Sequence, residues 1–143
     1  MKKRLLLVPL LVAVPLLTAC GSSNELKCER ENDGAKRTII VDFDSSKENA
    51  TGITIQYTVD FSNVEDFSEW GCEDLEDCIK MVESEVEDCE KDDTFEACKV
   101  SNKTKTSVTV QGDMTKKSVE EELGGKTYDD TKKMFEDGGY TCK

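Results

Sequence analysis

The clearest pattern in the chain runs from Ile53 to Phe61, where Ile53, Ile55, Tyr57, Val59 and Phe61 alternate with Thr54, Gln56, Thr58 and Asp60. Successive side chains of a strand point to opposite faces, so this stretch predicts a strand with one apolar and one polar side. Such a strand suits an antiparallel sheet covered on one face only. The same period recurs in Glu25–Glu31, with Leu26 and Cys28 together, and in Thr38–Phe43, with Ile39, Val41 and Phe43 together. Asn32-Asp33-Gly34 between them is a turn signal, so the two segments predict a hairpin. Asp44–Gly52 is polar and predicts a loop. Ser107–Gln111 predicts a further strand with Val108 and Val110 inward, and Phe95–Ser101 a weaker one.

Between these strands the period changes. Leu75, Cys78, Ile79, Val82, Val86 and Cys89 recur at helical spacing across Asp74–Lys91, with Glu, Asp and Lys on the other side. This predicts one long amphipathic helix. Val64, Phe67 and Trp70 precede it and suit a helical turn or an apolar loop over the sheet edge. Ser118 with Glu121, and Thr127 with Asp130, read as capping boxes that open two short helices. The first carries Val119 and Leu123 and stops at Gly124-Gly125; the second carries Tyr128, Thr131, Met134 and Phe135 and stops at Gly138-Gly139. Tyr140–Cys142 adds a short last strand. The order is β-β-β-α-β-β-α-α-β. It predicts an α+β fold: an antiparallel sheet with one long amphipathic helix and shorter C-terminal helices packed on one face.

The N-terminal residues follow a different logic. Lys2, Lys3 and Arg4 precede an apolar run of 15 residues, Leu5–Ala19, which contains Pro9 and Pro15. A spanning helix needs about 20 apolar residues, and interior prolines disfavour it further. Charge, then a short apolar run, then small residues is the order of a secretory signal. Leu17-Thr18-Ala19-Cys20 resembles a lipobox. That resemblance implies diacylglyceryl (palmitate-type) modification of the Cys20 thiol and cleavage before it. Residues 1–19 are then a lipoprotein signal peptide, 20–24 a lipidated tether, and 25–143 a single extracytoplasmic domain. The expected location is the extracytoplasmic face of the cell membrane, held by lipid on Cys20. Two acyl chains give a lasting anchor where one does not.

Composition changes the picture in two ways. Removing residues 1–19 and their three cations leaves 124 residues with 16 Lys and Arg against 31 Asp and Glu, a formal charge of −15. A surface so acidic repels phosphate backbones, so nucleic acid is excluded as a partner. The seven cysteines are an odd number. Assigning Cys20 to lipid leaves Cys28, Cys72, Cys78, Cys89, Cys98 and Cys142 as disulfide candidates in an oxidising compartment. Cys78 and Cys89 would lie about 16 Å apart on one helix at 1.5 Å per residue, beyond the roughly 7 Å that a disulfide spans. Helix geometry excludes only that pair and leaves the other connectivities open; among them the preferred set is 72–78 at the helix start, 89–98 at its end, and 28–142 between the first and last strands.

Candidate chemistry is sparse. The chain has no His, which removes the commonest general base and the usual triad base. It has no C-x₂-C pair for zinc or redox work. Asp42–Glu48 offers oxygens at alternate positions, but Lys47 and Ile53 stand where a calcium loop of the EF-hand type needs Gly and Glu. No catalytic residue, metal or cofactor is expected. Phe67, Trp70 and Tyr57 either line a binding face or cover the core. An apolar groove near Phe67 and Trp70 would favour a solute- or partner-binding accessory role.

The lipobox, Lys27-Cys28, the middle helix and the ending Thr127-Tyr128-Asp129-Asp130-Thr131-Lys132-Lys133 through Gly139-Tyr140-Thr141-Cys142-Lys143 resemble the YehR-like family of small bacterial lipoproteins. They are closest to its cysteine-bearing versions in Gram-positive bacteria. The resemblance covers most of the mature chain in layout, and at residue level only the C-terminal stretch and the lipobox. It implies a single α+β domain displayed at the cell surface, with no established activity. A non-enzymatic binding or structural role at the envelope, with an envelope protein or a small solute as partner, is the expected function.

Overall fold

A computed structural model describes residues 23–143. The expected signal peptide and the lipobox-like Leu17-Thr18-Ala19-Cys20 lie outside the described residues. Six strands form one sheet: β1 (Glu25–Asn32), β2 (Ala35–Phe43), β3 (Ala50–Asp60), β4 (Phe95–Lys103), β5 (Ser107–Met114) and β6 (Thr141–Cys142), in the spatial order β4-β5-β3-β2-β1-β6. Every pairing given is antiparallel. A 3₁₀ turn at Phe67–Trp70 leads to α1 (Leu75–Lys91), and α2 (Lys116–Leu123) and α3 (Tyr128–Asp137) precede the last strand. The α+β architecture is thus that of a sheet with its helices against the apolar side. Helix α1 packs on β4 and β5, α2 on β3, and α3 on β1 and β6.

Local chemistry sets these elements. The β1–β2 hairpin turns at Asp33 (φ 48°) and Gly34 (φ 79°). Two consecutive positive φ values match the twist of the strands they join. Asp74 caps α1, its side chain accepting from the Asp77 amide at 2.9 Å. Thr127 and Asp130 form the expected capping box of α3. The other expected box does not form. Ser118 is buried inside α2, and Thr115 is the N-cap, accepting from the Ser118 amide at 3.2 Å. A hydroxyl three residues upstream satisfies the free amides first, so the helix begins a turn early.

The core is two clusters. One joins Leu26, Cys28, Ile39, Val41, Phe43, Ile53 and Met114 to Val119 and Leu123 of α2, with Tyr128 and Phe135 of α3 beside them. The other joins Val59, Phe61 and Val108 to Cys72, Cys78, Ile79 and Val82, with Phe67 and Trp70 packed against it. Trp70 meets Phe61 edge-on, ring centroids 5.3 Å apart. Phe67 and Trp70 therefore cover core, and the groove expected beside them is not where these residues sit. Their large rings bury more free energy against Phe61 and Val59 than a wet surface would return.

Three disulfides join Cys28 to Cys142, Cys72 to Cys78, and Cys89 to Cys98. Cys28 and Cys142 are direct partners across β1 and β6. Lys27 and Lys143 beside them exchange both backbone hydrogen bonds, at 3.1 and 2.8 Å. The cysteines thus occupy the non-hydrogen-bonded position, where facing side chains are closest. A bulge between Phe95 and Ala97 lets Phe95 and Cys98 share the helix-facing side of β4, although they are three residues apart. Cys98 is thereby aimed at Cys89 on α1.

Candidate functional site

The helix-facing side of the sheet is not fully covered. Over β2, β3 and β5, and walled on one side by α1, lies a groove of about 530 Å³. Register builds its floor. Arg37 pairs with Tyr57, and Tyr57 with Val110; one pleat on, Ile39 pairs with Ile55, and Ile55 with Gly112. Phe95 closes one end. The α1 wall contributes Glu85, Val86, Asp88 and Cys89, followed by Asp92 just after the helix. Gly112 permits this arrangement. A Cβ there would lie 2.7 Å from the Phe95 ring and 3.1 Å from the Cys89 sulfur, so a bare backbone lets the end of α1 approach the sheet.

The groove is apolar below and charged at its rim. Ile55, Tyr57 and Val110 are half-buried, whereas Glu85, Asp88, Asp92 and Arg37 are exposed. Asp92 accepts from the Thr94 amide at 2.9 Å, and its hydrogen bonds with Thr94 hold its carboxyl below the ordinary range. Asp88 makes a 3.5 Å surface pair with Lys91, a contact worth little in water. The side chains of Glu85 and Arg37 make no hydrogen bond or ion pair among the described residues. Of the three aromatics weighed from the sequence, Tyr57 lines the groove and Phe67 and Trp70 do not. Period-two spacing placed Tyr57 inward but said nothing of where the helices leave the sheet uncovered.

The opposite face of the sheet is a second concavity, lined by Lys27, Glu29, Lys36, Thr38, Gln56, Thr58, Lys99, Thr109 and Gln111. Its side chains largely satisfy one another. Thr54 donates to Asp113 at 2.8 Å, Gln56 to Gln111 at 3.0 Å, and the Thr58 and Thr109 hydroxyls are 2.7 Å apart. Lys27 pairs with Glu29 at 2.9 Å, and that hydrogen bond is the main cause holding the Glu29 carboxyl below its usual range.

The acidic loop weighed for calcium has another use. The Asp44 carboxylate accepts from the Ser46 hydroxyl, the Glu48 amide, and both the backbone and side-chain nitrogens of Asn49. It is occupied in fixing its own turn. Among the described residues no group of three His, Cys, Asp or Glu side chains is placed to hold a metal ion, and no helix is long and apolar enough to cross a membrane. Comparison with protein-family models, curated proteins and solved structures finds no match.

Proposed function

We propose that this chain is a lipid-anchored, non-enzymatic binding domain on the extracytoplasmic face of the cell membrane, of the type of the YehR-like small lipoproteins. The observation that carries the reading is the state of its cysteines. All six in the described residues are paired within the domain, so the odd thiol is Cys20, the residue that ends the lipobox-like Leu17-Thr18-Ala19-Cys20. Three disulfides in so small a domain fit an exported protein, and a thiol without a partner fits a lipid attachment point.

The groove over Ile55, Tyr57 and Val110 supports a binding role. Its volume lies within the range of small-molecule sites, and an apolar floor with a few polar groups at the rim is their usual make-up. The strongly acidic surface argues against nucleic acid. The anchor is tested by expressing the chain with its leader in a bacterium and comparing it with Cys20→Ala. The parent should fractionate with membranes and the variant should not be cleaved and acylated. Equal acylation of the two would refute the anchor.

A further inference from the structure

We infer that the groove beside α1, over β2, β3 and β5, takes a cationic amphiphile: a small molecule with an apolar body and a positively charged head. This rests on the reading of the domain as a binding module and adds the class of ligand. The apolar body is assigned to the floor, where Ile55, Tyr57 and Val110 are half-buried with Phe95 at the end. These side chains lose water only if something lies on them. The charged head is assigned to the α1 wall. Glu85 and Asp88 are one helical turn apart on one side of α1, and Asp92 lies one turn further. Residues at i and i+3 or i+4 share a helix face, so the carboxylates form a row along the rim.

Charge complementarity selects the cation. Three carboxylates stand at the rim against one guanidinium, Arg37, which projects from β2 beside Tyr57. Glu85 has no cation of its own among the described residues, and Asp88 has only the exposed Lys91. An anionic amphiphile would set its head against this row, and a neutral one would leave it unused. The low-dielectric sheet beneath strengthens the attraction relative to an open surface. Arg37 opposes a cationic head, so its removal should tighten binding.

The test uses three probes with the same apolar chain: octyltrimethylammonium, octyl glucoside and octyl sulfate, each below its micellar concentration. The protein is the oxidised chain from residue 20 onward carrying Cys20→Ser. It contains the whole sheet, both core clusters and all three disulfides. Binding is followed by amide shifts in a proton–nitrogen NMR spectrum. The cation should bind about tenfold tighter than the anion, the effect of one added favourable interaction of about 1.4 kcal/mol, and should shift Tyr57, Val110 and Gly112. Glu85→Gln with Asp88→Asn should weaken the cation severalfold while leaving octyl glucoside within twofold, and Arg37→Gln should strengthen it. Glu120→Gln with Glu121→Gln on α2 should change neither. Anion binding as tight as cation binding, shifts centred outside the groove, no binding at all, or an equal loss in the α2 variant would overturn the proposal. Failure here leaves the Cys20 anchor standing, and failure of the acylation test leaves this titration unaffected.

Discussion

The two halves of the covered face are held in different ways. The α1 half is stapled locally. Cys72–Cys78 and Cys89–Cys98 join residues 6 and 9 apart in sequence, one at each end of a helix that already lies on β4 and β5. The α2–α3 half is closed by a single link, Cys28–Cys142, between residues 114 apart. It retains a strand, β6, only two residues long. Local staples fix the ends of one helix; the long link fixes the topology of the sheet. The groove lies on the α1 side, over the half-buried Ile55, Tyr57 and Val110.

This difference predicts a hierarchy of losses. Chain-entropy cost grows with the length of the closed loop, giving about 5 kcal/mol for the 28–142 link against about 2.5 for 89–98 and about 2 for 72–78. Cys28→Ala with Cys142→Ala should therefore cost the most in denaturant unfolding and should free β6, seen as loss of amide protection at Lys27 and Lys143. Cys89→Ala with Cys98→Ala, and Cys72→Ala with Cys78→Ala, should each cost about half as much or less and leave β6 protected. If the short links cost as much as the long one, they act through native packing and the contrast fails.

A smaller effect should have the opposite sign. Thr131 of α3 is fully buried, and its hydroxyl has no partner among the described residues. Thr131→Val keeps the shape and removes the orphan, so it should stabilise the α3 side by about 1 kcal/mol. A loss of stability would mean that the hydroxyl is satisfied in solution.

The smallest effect sits in the loop that docks on α3. Tyr128 donates its amide to the Lys47 carbonyl at 2.9 Å, and the Lys47 ammonium lies 4.7 Å from the centre of the Tyr128 ring. Hydrogen bonds from the Asn49 side chain first, then Ser46 and the backbone, lower the Asp44 carboxyl from 3.8 to about 2. A depressed folded value means that the charged form favours the native loop. Its contribution is complete above the ordinary value and is lost as pH falls toward the depressed one. The Glu48 and Asn49 amide shifts should titrate with a midpoint near 2; a midpoint near 4 would show that the turn does not hold the carboxylate.

Much of this was legible in the sequence where one period governed. Strict alternation placed Ile53–Phe61 in a strand, which runs over Ala50–Asp60, and helical spacing placed α1 almost to its ends. Helix rise kept Cys78 from Cys89 but left the other connectivities open; the preferred set, 28–142, 72–78 and 89–98, is the one the fold forms. Strand β4 read weakly because bulges at Phe95/Ala97 and Val100/Asn102 break its alternation. The start of α2 was misplaced because Thr115 and Ser118 both offer hydroxyls, and only packing shows that Ser118 is buried. The groove was misplaced for a related reason. Aromatic residues mark where apolar area is large, but only the placement of the helices decides which of it stays open.

The central claim is an oxidised domain hung from lipid on Cys20, and the intact mass of the native protein extracted from membranes tests it most directly. The expected mass is that of residues 20–143 carrying a diacylglyceryl group on Cys20, less six hydrogens for the three disulfides. A mass with the leader retained and no lipid, or with free thiols among Cys28, Cys72, Cys78, Cys89, Cys98 and Cys142, would contradict it.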